Sequence, residues 1–469
     1  MKQSIEIRFL ELLFAFFLSC CVSFFNEIVF YDSSASSIVS IVFIVLTISF
    51  AIFGRFRPLI WLLSLSFVLF ATRPRSLHLI EIDLRGSYEY YSPNILKLVG
   101  PSVSTSAVFL IFLIVIARAF FSKKSAGIPK YFQLFTLFVF GTLIVTCMNG
   151  IFQERATSLG VFLSDLKYLL FIFTGAMIVK QSNYKQEDFQ WLIVFLGVVL
   201  GFMTLTNFAI DQLNGHLLLQ YNHNTYFSII SLGLAIFSLR TASASGVIAI
   251  LAIFIGAAPI VRGAQLVFLF TVLLAFFYSL SDKRSVSRTT KLVVIGAAIF
   301  SLSIYIMTTE NALSEFFFRK FAFFQKLDFF LDESTSVRVM ELQAIFRMDT
   351  LPDMLTLLFG HGLGGTFSLP TLSVSYLTLA DFPESEIASN SFSQPHLFLS
   401  YWILKYGVMG TALFLYTLFR VTAQRTIEFR LLAISLPALF WQGYWSPGYA
   451  LFFGFFWAFA VLKTANVRS

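Results

Sequence analysis

Apolar residues arrive along this chain in repeated runs of about 15 to 25, separated by short polar punctuation, which is the length that crosses a hydrocarbon core as a helix. The runs centre on 9–25, 36–53, 57–71, 103–120, 131–148, 164–179, 190–210, 225–239, 246–261, 263–280, 292–307, 398–419, 430–446 and 449–462. They predict an all-α polytopic membrane protein of about 12–14 transmembrane helices, the short third, eighth and ninth runs setting the range. Two stretches interrupt the rhythm, one at 72–102 and a much longer one at 308–395. The organisation read from this is a bundle over 1–307, a large loop over 308–395 with amphipathic helices, and C-terminal spans over 396–469.

Composition agrees with the pattern. The chain has 469 residues, 57% of them hydrophobic and only 12% charged, with mean hydropathy +0.81. That is far too little charge for a soluble surface of this size. The net charge of +8 reflects basic loops rather than a nucleic-acid face, because no Lys/Arg stripe is interleaved with aromatics. Cys20, Cys21 and Cys147 lie in apolar runs without metal spacing and read as packed side chains. The opening "MKQSIEIRFLELLFAFFLSCC" resembles a signal peptide, but with so many runs after it the reading is an uncleaved first helix.

Alternating the runs from a cytoplasmic N-terminus places about 20 of the 33 basic residues on the inner side. Both termini are then cytoplasmic, and the 308–395 loop and all five histidines (His78, His216, His223, His361, His396) face outward. Within the long loop, 316–333 is rich in Phe, and Phe317, Phe321 and Phe324 share a helical face. The segment fits either a helix on the membrane surface or one packed against the bundle.

Several polar positions stand out against this background. "GHGLGG" formally matches G-x-G-x-x-G at Gly360, Gly362 and Gly365, yet no strand or βαβ unit surrounds it. A tight turn ending a helix over "DMLTLLF" is the better reading. Histidine spacing supports no metal site, and no cofactor is expected. Arg262 sits in a very short outward turn, where it is either a snorkelling arginine or a phosphate ligand. Arg338 follows a Ser/Thr stretch that looks like a helix cap, which would put it in a first turn, paired at the surface with Glu341 or held for an anion. His396 follows Pro395 at the mouth of a span, where the helix dipole keeps an imidazole neutral and able to accept a proton. Lys405 lies about 180° round that helix and roughly 13 Å deeper, facing a partner that local sequence does not name.

An outward arginine after a late span, S-x-x-R and F-G-x-G-L-G in a long loop, and a histidine followed by glycines eleven and fourteen residues later form a pattern. It resembles the O-antigen ligase/polymerase superfamily, GT-C-type glycosyltransferases of the bacterial inner membrane. The matching residues are Arg262, Arg338, Phe359, Gly360, Gly362, Leu363, Gly364, His396, Gly407 and Gly410, over roughly 260–420. The chain departs from the family pattern at Leu397, where Asn or Ser is usual, at Lys405, where Glu is common, and at Leu342, where Trp is frequent.

The resemblance implies undecaprenyl-diphosphate-linked glycans as donor and acceptor, with a chain-length regulator and a flippase as further partners in the bilayer and no nucleic acid. It implies that Arg262 and Arg338 bind the diphosphate and that His396 is the catalytic base, without metal or cofactor and with inversion. A polymerase is favoured; a ligase to lipid A–core and a lipid-linked oligosaccharide flippase are the alternatives.

Overall fold

The computed structural model describes residues 5–69, 110–118, 141–146, 159–213, 225–239, 243–257, 262–280, 333–369, 384–422, 427–442 and 447–466, apart from single positions 32, 143, 183, 394, 396 and 397. The described chain is all-α. Its helices are α1 (Phe9–Tyr31), α2 (Ser33–Ile52), α3 (Phe56–Leu69), α4 (Leu159–Gln181), α5 (Gln186–Leu213), α6 (Thr225–Ser238) and α7 (Ala244–Ala257). They continue with α8 (Arg262–Leu280), α9 (Glu333–Ile345), α10 (Leu351–Phe359), α11 (Glu384–Ser389), α12 (Phe398–Thr422), α13 (Ile427–Gln442) and α14 (Pro447–Asn466).

The predicted runs and these helices coincide to within a few residues wherever both are described. A helix satisfies the backbone polar groups of each such stretch within the stretch itself. The run at 292–307 and the Phe-rich stretch at 316–332 lie outside the described residues.

One large core joins the helices, with α4 against α14, α5 against α1 and α7, and α8 against α6 and α13. The α4–α14 seam is close because Gly175 and Gly454 face the opposite backbone, at Leu451 and Ile172, where any Cβ would collide with a carbonyl. Small residues let helices approach in this way where apolar burial alone gives little specificity. Ring contacts add shape, with Phe189 stacked on Phe459 at 4.9 Å and Trp191 on Phe195 at 4.9 Å.

The outward surface is unusual. Phe9, Leu10, Phe14 and Phe17 on α1, Val45 on α2, and Leu269, Phe270, Leu273 and Phe277 on α8 are all more than half exposed. Among the described residues one helix, Gln186–Asn207, is by itself long and apolar enough to cross a membrane.

Basic turn residues gather at one end of the bundle. Arg118 donates to the Ile52 carbonyl at 2.6 Å, Arg57 pairs with Asp188 at 3.6 Å, and Gln181 at the end of α4 donates to Val115 at 2.7 Å. The chain start is tied near the end of α6 by Ile5 N–H donating to Ser238 at 3.1 Å.

Beyond α8 a second, smaller cluster forms over α12. Ile345, Leu357, Phe367, Leu369 and Phe392 pack on Ile403 and Leu404, with Met340, Ala344 and Ile387 alongside. A two-residue antiparallel bridge, Phe367 with Phe392, closes it through hydrogen bonds of 3.0 and 2.9 Å. Asn390, at φ 45°, reinforces the bridge by donating to Leu369 O and accepting from Leu369 N. The described parts of the long loop are thus folded onto α12.

Candidate functional site

The site is organised by a break in a helix. α12 departs from helical geometry at Gly407, with φ 69° and ψ 176°, a region open essentially to glycine alone. The break interrupts the i to i−4 ladder, so Leu404 and Lys405 are left with carbonyls that need outside donors. The glycine loop supplies them. His361 N–H donates to Leu404 O at 2.7 Å and Gly362 N–H to Lys405 O at 3.1 Å.

The loop itself starts where α10 stops. α10 opens on a capping box between Thr350 and Asp353 and carries Pro352 in its first turn. It ends at Gly360, whose N–H returns to Thr356 O at 2.7 Å. The turn predicted after "DMLTLLF" is therefore present, and it follows a helix rather than a strand. Gly360 (φ 84°) and Gly407 lie backbone to backbone, and a Cβ on either would strike the other segment's main chain.

Beneath the loop lies a buried ion pair. Lys405 Nζ is 2.7 Å from Asp165 Oδ2 on α4, and both side chains are essentially inaccessible. Lys405 also donates to Gly365 O at 2.6 Å and stands 5.5 Å from the Tyr401 ring centroid. Asp165 accepts from Gly364 N–H at 2.7 Å and from the Tyr401 hydroxyl at 2.8 Å. Leu363 N–H donates to the Thr146 hydroxyl at 2.8 Å. Both charges are thus compensated and multiply hydrogen-bonded, the condition under which a buried pair is tolerated.

This arrangement answers the question Lys405 poses in the sequence. Its partner is Asp165, an acidic residue inside the apolar run "GVFLSDLKYLLF". Sequence reasoning missed Asp165, although an acid within such a run is itself a signal that a partner exists.

The other sequence-derived residues fall as follows. Gly360, Gly362, Gly364 and Gly407 are brought together at the break, all with positive φ. Gly410 belongs to the regular second half of α12 and does not share that geometry. Arg262 is the first residue of α8. Arg338 lies in α9, but the helix begins at Glu333, ahead of the Ser/Thr stretch. The expected first-turn position is therefore corrected to the second turn, because 334–336 is helical rather than a cap. Glu341 is fully buried, so a surface ion pair is not its role. His396, like His78, His216 and His223, lies outside the described residues, and its neighbour Pro395 is buried.

A half-buried carboxyl completes the polar rim. Glu386 on α11 accepts from the Ser393 hydroxyl at 2.5 Å, and its carbonyl accepts from Ser391 N–H at 3.1 Å. Burial raises the Glu386 pKa above the usual carboxylate range, while Ser393 and Lys405 pull it back and Asp165 pushes it further up. The Ser391 and Thr366 hydroxyls lie 2.8 Å apart and link this segment to the loop. No cluster of three or more His, Cys, Asp or Glu able to hold a metal occurs among the described residues.

Chemically, the described arrangement is a positioning device. It fixes the backbone of the glycine loop against α12, and it leaves no loop N–H from 360 to 364 unpaired. Compared with family profiles, curated proteins and solved structures, the chain matches none.

Proposed function

We propose that this chain is a polytopic inner-membrane glycosyltransferase of the O-antigen polymerase type. In this reading it transfers an undecaprenyl-diphosphate-linked glycan onto a sugar hydroxyl of a second lipid-linked repeat unit. The observation that carries the reading is the junction between the glycine loop and α12. The two stretches that hold most of the resemblance, 359–364 and 396–410, are joined by the hydrogen bonds at Leu404 and Lys405. A motif whose parts meet in space is better support than the same residues scattered.

Two further observations favour a membrane setting. Large apolar side chains face outward on α1, α2, α8 and α12, where a water-facing surface would be polar. The site and the basic turns also lie at opposite ends of α4: Asp165 is near its start and Lys180 and Gln181 close it, about 22 Å apart along the axis. With the basic end cytoplasmic, the site opens on the outer face, where lipid-linked glycans would be polymerised.

The chemistry is a direct displacement. Arg262 and Arg338 hold the donor diphosphate, their planar forks matching paired oxygens, and stabilise the charge that builds on it. The acceptor hydroxyl oxygen bonds to the anomeric carbon as the bond from that carbon to the diphosphate oxygen breaks. The hydroxyl proton passes to His396, undecaprenyl diphosphate leaves, and the anomeric configuration inverts.

Surface glycolipids from a deletion strain, resolved on a gel, test the reading. Core carrying a single repeat is the expected result. Naked core with lipid-linked polymer left behind would reassign the chain as a ligase, and repeats trapped on the inner leaflet would make it a flippase. Re-expressed His396→Ala should insert normally yet restore no polymer; near-normal polymer would remove His396 from the chemistry.

A further inference from the structure

The short helix α10 is built inside out. Leu351, Met354, Leu355, Leu358 and Phe359 are 69%, 47%, 48%, 41% and 47% exposed, and their spacing of i, i+3, i+4, i+7 and i+8 forms one continuous helical stripe. The opposite side carries Asp353, Thr356 and Leu357, of which only Leu357 is apolar and buried. In a helix packed on a water-facing surface the stripe would point inward. Here the apolar stripe points away from the protein.

The depth of α10 identifies what the stripe meets. Its C-terminal end is fastened to Lys405 and Gly407, about 10–14 Å along α12 from Phe398. Exposed apolar side chains on α12 bracket that level, Leu399 towards its start and Val408, Met409 and Leu413 beyond the break. Apart from Thr356, whose hydroxyl is bonded to the Asp353 carbonyl, the polar groups of α10 sit at its other end, in the Thr350–Asp353 cap and the adjacent Arg347–Asp349 ion pair. An apolar stripe continuous with an exposed apolar helix, and ending in a charged turn, suits the boundary between acyl chains and headgroups.

We propose that α10 is a membrane-embedded interfacial helix whose Leu351, Met354, Leu355, Leu358 and Phe359 face is seated among the acyl chains of the bilayer. This rests on the membrane reading above and goes beyond it, because it moves a segment of the long outer loop into the lipid. Its consequence is that the glycine loop is held from two sides, by α12 and by the membrane. A lipid-linked substrate would then meet the loop without leaving the bilayer.

Site-directed spin labelling in proteoliposomes tests the proposal. Cys20, Cys21 and Cys147 are replaced by Ala, and single cysteines are introduced as Leu355→Cys, Met354→Cys and, on the outward face of α8, Phe270→Cys. Labels at 354 and 355 should show the high oxygen and low nickel-chelate accessibility of the 270 label. Labels at 354 and 355 open to the nickel chelate, with 270 lipid-like, would overturn this proposal alone. Dipolar coupling between labels at 355 would overturn it in favour of a second copy covering the stripe. A water-accessible 270 label would overturn both this proposal and the membrane reading.

Discussion

At the scale of single residues, the most informative position is Lys405. In sequence it is an anomaly, a cation in an apolar run. In the structure it is the hub linking α4, the glycine loop and α12. Removing Lys405 leaves the Asp165 charge buried without its counter-ion, held only by the Gly364 N–H and Tyr401 hydroxyl. Lys405→Met should therefore destabilise by about 3–5 kcal/mol, read as a lowered unfolding temperature of the detergent-purified protein. Adding Asp165→Asn removes the stranded charge and keeps an acceptor, so the double variant should recover more than half of that loss. A double variant no more stable than Lys405→Met would show that the pair is not the origin of the effect. The sequence made Arg262, Arg338, His396 and the glycines visible because each breaks a local rule. Asp165 and Tyr401 were not connected to them because they act at sequence separations of 199 and 236 from their hydrogen-bond partners, beyond any local pattern.

At the scale of elements, hydropathy was a good guide to where helices lie and a poor one to where they bend. The runs at 9–25, 190–210 and 398–419 became α1, α5 and α12, since apolar length is the property that decides both. The break at Gly407 does not interrupt the apolar run, which continues through Val408 and Met409 to Leu415. Gly407 and Gly410, paired in the sequence pattern, do different things: only Gly407 has positive φ. Gly407→Ala puts a side chain into a glycine-only backbone region, at a strain of about 1–3 kcal/mol, and drives a Cβ into the α10–loop junction. It should lower the unfolding temperature and abolish polymer. Gly410→Ala, in regular helix, should be neutral or stabilising by up to about 1 kcal/mol. Equal effects of the two substitutions would mean that the break is not required.

The whole molecule is polarised from one end to the other, with the ion-paired glycine loop at the start of α4 and basic turns at its close. α4 runs from the Asp165 region to the basic turns, so it acts as the rod that sets the distance between site and basic end. The membrane reading makes a sided prediction from this. A cysteine introduced as Lys185→Cys, at the basic end, should react with an impermeant maleimide only after the inner face is opened. Asp349→Cys, in the turn before α10, should react in intact spheroplasts. Labelling of both from the same side would overturn the proposed orientation. The described part of 308–395 shares a hydrophobic cluster with Ile403 and Leu404 of α12, packing across the boundary at 395 that hydropathy draws.

The break in α12 has an electrostatic consequence of its own. It turns one helix into two half-helices in series, each with its own dipole ends, and residues 404 and 405 become the negative end of the first. A lysine at that terminus is favoured twice, by the carbonyl end of its own half-helix and by Asp165 across the gap. A glutamate in the same place would face both as like charge. Position 405 is thus committed to one sign in this chain, and that commitment can be reversed only together with Asp165.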